Sequence, residues 1–291
     1  MKKVLPILLT FLLFISCGTK TAIESPDKEI VIGTFNIKWL GDGIDDNVKR
    51  TDADYERIAN IISESDVDVL GVQEIENAAA LEKLMQHLPD HDFLLGNSGG
   101  KLNLGVIYKK DIEISEHGEY MPIAVEKNRT RPGFYISARK GNFDWKMMVV
   151  HLKSTSRYDS TEQMRIESYA LRKLQAAELS RWVDSVMASS GEEDIILTGD
   201  FNDNPAKRGK NLQALIDAGV SFISADLTSC KNIMWSSIDH IAVTPSAQER
   251  YRHGSVTTHN FYKALTEYEA DLVSDHCPVL AVFDLTAPDN D

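Results

Sequence analysis

Six short segments, spread over most of the 291 residues, each set Asn, Asp, Glu or His at the edge of an apolar run. They are Thr34-Phe35-Asn36-Ile37, Val72-Gln73-Glu74, His151-Leu152-Lys153-Ser154, Gly199-Asp200-Phe201-Asn202, Ser237-Ile238-Asp239-His240-Ile241 and Ser274-Asp275-His276. Gathered by folding, these side chains would line a pocket with oxygen ligands and imidazoles, the equipment for metal-assisted attack on a phosphate ester. A hard cation such as Mg²⁺, with Mn²⁺ or Ca²⁺ as alternatives, wants carboxylate oxygens, water and substrate phosphate. Glu74, ending an apolar run, is the natural anchor. Asn36 can add an amide oxygen or orient the metal's waters.

Asp200 and Asn202 are two residues apart, so an extended backbone would project them to one side, as a base and a neutral hydrogen-bonding partner. An Asp-x-Asn turn is the competing arrangement. His151 and His276 are candidate imidazoles, since a His beside carboxylates is readily held protonated. Asp239 is a plausible partner that fixes one ring's tautomer. The cations Lys38, Arg129, Arg131, Lys153 and Arg157 flank the motifs. Arg131 and Lys153 are the choices for phosphate contacts, because Arg grips phosphate with a fork and Lys acts as a point charge.

The elements that must position these groups are legible in the patterning. Ile30–Ile37, Val67–Val72, Gly105–Tyr108, Phe134–Ala138, Lys146–His151, Asp194–Thr198, Ser237–Val243 and Pro278–Phe283 read as strands. Helical spacing covers Asp54–Ser63, and Asn77 caps a helix expected over Ala78–Leu88, ended by Pro89. The longest helix is expected over Glu162–Met187, with Leu171, Leu174, Leu179, Trp182 and Val186 on one side. Asn36, Glu74, His151 and Asp200 all fall at C-terminal strand ends, where α/β sheets open their ligand crevices. Strands interleaved with helices, plus consecutive strands mid-chain, imply an α/β sandwich of two packed sheets with helices outside.

Residues 1–16 read as a signal peptide, with Lys2 and Lys3 before the apolar run Val4–Ile15, too short to span a bilayer. Phe14-Ile15-Ser16-Cys17 resembles the lipobox of bacterial lipoproteins, which implies lipidation of Cys17 and a protein exported to the cell envelope. Residues 17–28 read as a flexible tether, and residues 29–287 as one domain. Losing residues 1–16 removes two lysines and no acid, so the formal charge goes from −13 to −15. Such acidity argues against broad electrostatic affinity for nucleic acid, though not against brief, local binding through a metal and a few cations. An exported protein could pair Cys230 with Cys277, but Cys277 adjoins Asp275-His276, which weighs against a disulfide. No protein partner is indicated, and a monomer is expected.

The motifs and their order resemble the endonuclease/exonuclease/phosphatase superfamily, the deoxyribonuclease-I-like fold, from about Ile30 to Phe283. The resemblance implies a four-layered sandwich of two mixed sheets flanked by helices, and metal-dependent hydrolysis of phosphate esters. It places Asn36 and Glu74 on the metal side, Asp200 and Asn202 as the nucleophile-activating pair, and Asp239 as the carboxylate that orients the catalytic His. Asp275 and His276 become the closing pair, Asp275 assisting the metal, and Arg131 before Pro132 becomes the phosphate-contacting Arg. His151 matches an imidazole of the secreted deoxyribonucleases, but Leu102–Tyr108 lacks the Glu that holds it there. The reading is therefore a lipid-anchored, metal-dependent phosphodiesterase, foremost a nuclease. A phosphomonoesterase or lipid phosphodiesterase would use the same site, and a binding lipoprotein without catalysis is the remaining alternative.

Overall fold

The computed structural model describes residues 28–155 and 158–289. The expected signal peptide, Cys17, the tether up to residue 27 and Arg157 lie outside the described residues. In chain order the elements are β1 (Glu29–Leu40), α1 (Asp52–Glu64), β2 (Val69–Ile75), α2 (Ala78–Met85), β3 (His91–Leu95), β4 (Asn103–Lys109) and β5 (Glu113–Tyr120). Then come β6 (Gly133–Lys140), β7 (Phe143–His151), α3 (Glu162–Ser190), β8 (Ile195–Asp200), α4 (Gln213–Asp217) and β9 (Ser221–Phe222). The chain continues with β10 (Asp239–Val243), α5 (Pro245–Arg250), β11 (Thr257–Thr258), α6 (Glu267–Val273) and β12 (Val279–Asp284).

These strands form two six-stranded sheets, ordered β11-β12-β1-β2-β4-β3 and β5-β6-β7-β8-β10-β9. Each contains one parallel pair, β1 with β2 and β7 with β8, among antiparallel neighbours. The sheets are therefore mixed, as the family resemblance implies.

Alternation along the strands builds three apolar layers. Ile30, Ile32, Val69 and Val106 meet Ile136, Trp145, Met147 and Val149 between the sheets. The opposite faces of the same strands carry Phe35, Leu70 and Val72 against Tyr55, Ile58, Leu81 and Leu84 of α1 and α2. On the far side, Met148, Val150 and Leu197 pack on Leu179, Trp182 and Val183 of α3. Helix, sheet, sheet and helix thus make four layers.

Local differences from the sequence reading have local causes. Asn77 does cap α2 through Ala80, but the helix stops at Met85, ahead of Leu88. Leu174 is 54% exposed, whereas Leu171, Leu179, Trp182 and Val186 are buried. At 100° per residue Leu174 lies well off their stripe, and Arg172 and Gln175 occupy the buried face instead. Strand β5, Glu-Ile-Ser-Glu-His-Gly-Glu-Tyr, escapes the apolar signal because it is a sheet edge with mostly polar side chains. Cys230 and Cys277 form a disulfide, contrary to the weight given to the neighbouring motif. Their bond ties the hairpin before β10 to the residue after His276.

Candidate active site

Strand pairing sets the catalytic row. His151 ends β7 beside Asp200 at the end of parallel β8, and Asp200 in turn faces Asp239 at the start of antiparallel β10. Three polar residues thus sit side by side across three strands. Gly199 makes the approach possible: its φ is +142°, and a Cβ there would lie 2.0 Å from the Val150 carbonyl.

The other sheet contributes Asn36 and Glu74 from β1 and β2, which pair in parallel through Asn36 and Gln73. Both strands are irregular here, with register shifts between Asn36 and Leu40 and between Val72 and Ile75. Lys38, Trp39 and Glu74 have left-handed φ values of 46°, 54° and 62°. Such bulges re-aim side chains at sites, at a cost in backbone strain.

Asn36 Nδ2 donates to Glu74 Oε1 on the neighbouring strand at 3.1 Å and, across the gap between the sheets, to Asp200 Oδ2 at 3.3 Å. Its Oδ1 accepts from the Lys38 backbone N–H at 2.9 Å, which fixes the amide's orientation. Of the two roles open to Asn36, orientation is the one this geometry favours.

His276 Nδ1 lies 2.9 and 2.8 Å from the two Asp239 oxygens, and its Nε2 is 3.9 Å from Asp200 Oδ2. Burial works against the charged ring, but the Asp239 carboxylate prevails and pushes the imidazole up to about 10. The paired carboxylate thus favours the charged form of this ring. His151 is the reverse: burial, with Arg131, His276 and Lys153 nearby, holds it well below 6.5 and so neutral. Its Nε2 is 3.8 Å from Glu74 Oε1 and 3.5 Å from Asp200 Oδ2. Its buried Nδ1 has no hydrogen-bond partner among the described residues. The expectation that carboxylate neighbours keep a His protonated therefore holds for His276 and fails for His151, where desolvation wins. Burial, with Asp239 and Glu74 adding to it against His276, raises Asp200 to about 7, a value suited to a base near neutral pH.

Two expected roles change. Strand β8 ends at Asp200 and the chain turns: Asn202 has φ 52°, its N–H donates to Asp200 Oδ1 at 2.8 Å, and its Nδ2 donates to the Leu152 carbonyl. The Asp-x-Asn turn, not an extended pair, is what forms, so Asn202 fixes the Asp200 carboxylate. Asp275 is exposed and makes no hydrogen bond or ion pair among the described residues. It adds to the field that keeps His276 charged, but it is outside the convergent acids and is not placed as a metal ligand.

Arg131 donates to the His151 carbonyl at 3.2 Å and shares a cleft with Lys153, Arg129 and Tyr158. Lys153 Nζ lies 3.6 Å from Asp159. Arg129 is held by Glu126 and Glu167, Lys38 Nζ donates to the Asp271 carbonyl at 3.3 Å, and Lys153 Nζ donates to the Ser154 carbonyl at 2.6 Å.

Glu74 and Asp200 turn acid oxygens toward one small space, and among the described residues neither pairs with Lys or Arg. That oxygen-rich arrangement, with no Lys or Arg in direct contact, fits a hard divalent cation. Asp200, Asp239 and His276 also lie within 4.8 Å of one another, but both Asp239 oxygens face a charged imidazolium, which disfavours a cation there.

Two positioning residues lie outside the six motif segments. Arg50 lies within 3.0 Å of five backbone carbonyls, those of Ile37, Lys38, Trp39, Leu272 and Val273. It clamps the bulge after Asn36 to the segment before His276, and Ser274 strengthens the weld by donating to the Asn36 carbonyl while accepting from the His276 N–H. Arg172 on α3 joins the Lys153 carbonyl to the Asp203 carboxylate. A charged residue on the buried stripe of a long helix is the one cue the sequence offered for it.

No curated protein matches this chain in sequence. Among solved structures, an endonuclease/exonuclease/phosphatase family protein from Bacteroides thetaiotaomicron superposes with a TM-score of 0.63 at 18% identity, covering 92% of this chain and all of that one. TDP2 from C. elegans gives 0.63 at 15%, covering 88% of this chain and 75% of its own. A Bacteroides thetaiotaomicron mannosyl-6-phosphatase gives 0.61 at 17%, covering 87% and 98%. Identities this low speak for the fold. The profile of the Endonuclease/Exonuclease/phosphatase family matches residues 33–276. Members of that family hydrolyse phosphoric esters and generally depend on a divalent metal. The chain belongs to the endonuclease/exonuclease/phosphatase family.

Proposed function

We propose that the protein is a divalent-metal-dependent phosphodiesterase that cleaves nucleic acid. The observation that carries this reading is the pairing of a buried base, Asp200, with an imidazolium, His276, whose Nε2 is 3.9 Å away. Glu74, aligned by Asn36 and with Asp200 beside it, would hold the metal, which when bound supplies charge neutralisation at the phosphate. Arg131 and Lys153 orient the phosphate. Asp200 takes one proton from water as its oxygen bonds to phosphorus, and the ester bond on the far side breaks. His276 gives its Nε2 proton to the departing oxygen, and proton return from Asp200 resets the pair. Neutral His151, with Nε2 3.5 Å from Asp200 Oδ2 and 3.8 Å from Glu74 Oε1, assists from beside both carboxylates.

The reading includes export and anchoring through Cys17. The Cys230–Cys277 bond supports it, since disulfides persist in oxidising compartments. The likeness to a mannosyl-6-phosphatase supports a phosphomonoesterase as the second reading. Incubation with plasmid DNA, RNA, bis-p-nitrophenyl phosphate and p-nitrophenyl phosphate, with Mg²⁺ or EDTA, separates the two. Metal-dependent nicking is the expected result, and monoester hydrolysis without diester cleavage would replace it. Loss of labelled palmitate incorporation in Cys17→Ser tests the anchor.

A further inference from the structure

A buried amide on α3 joins the two chain segments that carry Arg131 and Lys153. Gln175 is fully buried, on the same helix stripe as Leu171, Leu179 and Trp182. Its Oε1 accepts from the Lys153 backbone N–H at 2.8 Å, and its Nε2 donates to the Ile123 carbonyl at 3.2 Å. One end of the amide meets a donor and the other an acceptor, so the side chain has a single satisfied orientation. A hydrocarbon of the same length would fill this part of the stripe without burying an amide, so the amide's use lies in the two backbone groups it joins.

The two partners differ in kind. Ile123 closes a 3-10 turn, Met121–Ile123, and its carbonyl also accepts from the Val125 N–H at 2.9 Å, so it is a fixed point on the segment leading to Arg131. Lys153 lies two residues past β7, beyond the ladder with β8. Gln175 takes its N–H, and Arg172, three residues earlier on α3, takes its carbonyl at 2.9 Å. Residues three apart share a helix face, so α3 grips the Lys153 backbone from both sides. Arg131 is tied to the same stretch, since its guanidinium donates to the His151 carbonyl at 3.2 Å. Arg131 and Lys153 line one cleft of about 450 Å³.

We propose that Gln175 is a positioning residue for phosphate: it sets the Lys153 backbone, and through it the Lys153 ammonium, at a fixed spacing from Arg131. The inference rests on the phosphate role that the proposed function gives Lys153. The two hydrogen bonds of Gln175 end on Lys153 and Ile123, and neither touches Glu74, Asp200 or His276. Losing them should therefore weaken phosphate binding and leave Mg²⁺ binding as it is.

Calorimetric titration of inorganic phosphate into the Mg²⁺-loaded protein reads the effect without turnover. Gln175→Met keeps the length and removes both hydrogen bonds. It should weaken phosphate roughly fivefold or more, with Mg²⁺ affinity within about twofold of wild type. In a Lys153→Met background the same substitution should change phosphate affinity by less than about twofold, because the group it positions is gone. An equal loss in both backgrounds would overturn the proposal, as would unchanged affinity in Gln175→Met. So would a Mg²⁺ affinity that falls in step with phosphate, the sign of a site disordered as a whole. Should the Met variant not fold, Gln175→Asn, one methylene short of both partners, carries the same comparison. If Lys153→Met alone leaves phosphate affinity unchanged, or the wild type binds no phosphate, the phosphate role of Lys153 falls and the inference with it. If Lys153→Met weakens phosphate while Gln175→Met does not, only the inference falls.

Discussion

The Asp239 carboxylate sets both oxygens against Nδ1 of His276, at 2.9 and 2.8 Å, from a strand that faces Asp200. Two carboxylates and one imidazole thus share a proton economy that no single strand could build. Asp239→Asn keeps the shape and removes the charge that holds His276 near 10. Without it, the ring's pKa falls, and activity that needs the imidazolium is lost at lower pH. The alkaline limb of the kcat profile should shift toward acid by more than one pH unit, with turnover at pH 8 down about a hundredfold. A profile that stays put would show that Asp239 does not set the proton donor.

Removing the base should cost as much. Asp200→Ala is expected to lower kcat about a hundredfold or more, with the folding transition retained. Near-wild-type turnover would exclude Asp200 as base.

Glu74 faces the space where the acid oxygens meet, at 3.1 Å from Asn36. Glu74→Gln should weaken Mg²⁺ binding by about tenfold or more, since hard cations depend on carboxylate charge. Calorimetric titration with Mg²⁺ reads this without any substrate. Unchanged affinity would move the metal away from Glu74.

Arg50 spans five carbonyls with one planar guanidinium, and burial lowers it to about 10, so it stays charged at neutral pH. Lysine has one compact head and cannot reach them all. Arg50→Lys should cost about 2 kcal/mol of stability or more and lower kcat with little change in KM, because the bulge carrying Asn36 loosens against the His276 segment. Denaturation and steady-state kinetics on the same variant check both, and wild-type values in the two would exclude the clamp.

His240 lies fully buried between the Ser224 hydroxyl and the Asp203 carbonyl, and burial lowers its pKa to about 4. Above about pH 6.5 both folded and unfolded chains hold it neutral. As pH falls below that value only the unfolded chain binds the proton, so stability declines until about pH 4 by about 3 kcal/mol in all. Denaturant midpoints measured from pH 7 to 4.5 should fall less steeply in His240→Gln than in the wild type. Parallel curves would show that this ring does not contribute.

The sequence by itself determined which strands carry functional groups, although β1 runs on to Leu40, past Asn36. Asn36, Glu74, His151 and Asp200 each close an apolar run, and period-two burial is a local property that survives any packing. It also determined the layers, because strands buried on both faces need helices outside. Tertiary structure decided what each group does. Asn202 belongs to a turn because its amide meets the carbonyl of Leu152, just past the end of β7, and Asp275 stays exposed because α6 delivers His276, not its neighbour, to Asp239. Whether His151 or His276 carries charge followed from depth of burial and the nearest carboxylate, neither of which is written in residue order. Arg50 reaches carbonyls more than 200 residues away, and Cys230 meets Cys277 across 47. Contacts of that range come only from the closed fold, since a chain's local preferences say nothing about which distant segment will fill the space beside them.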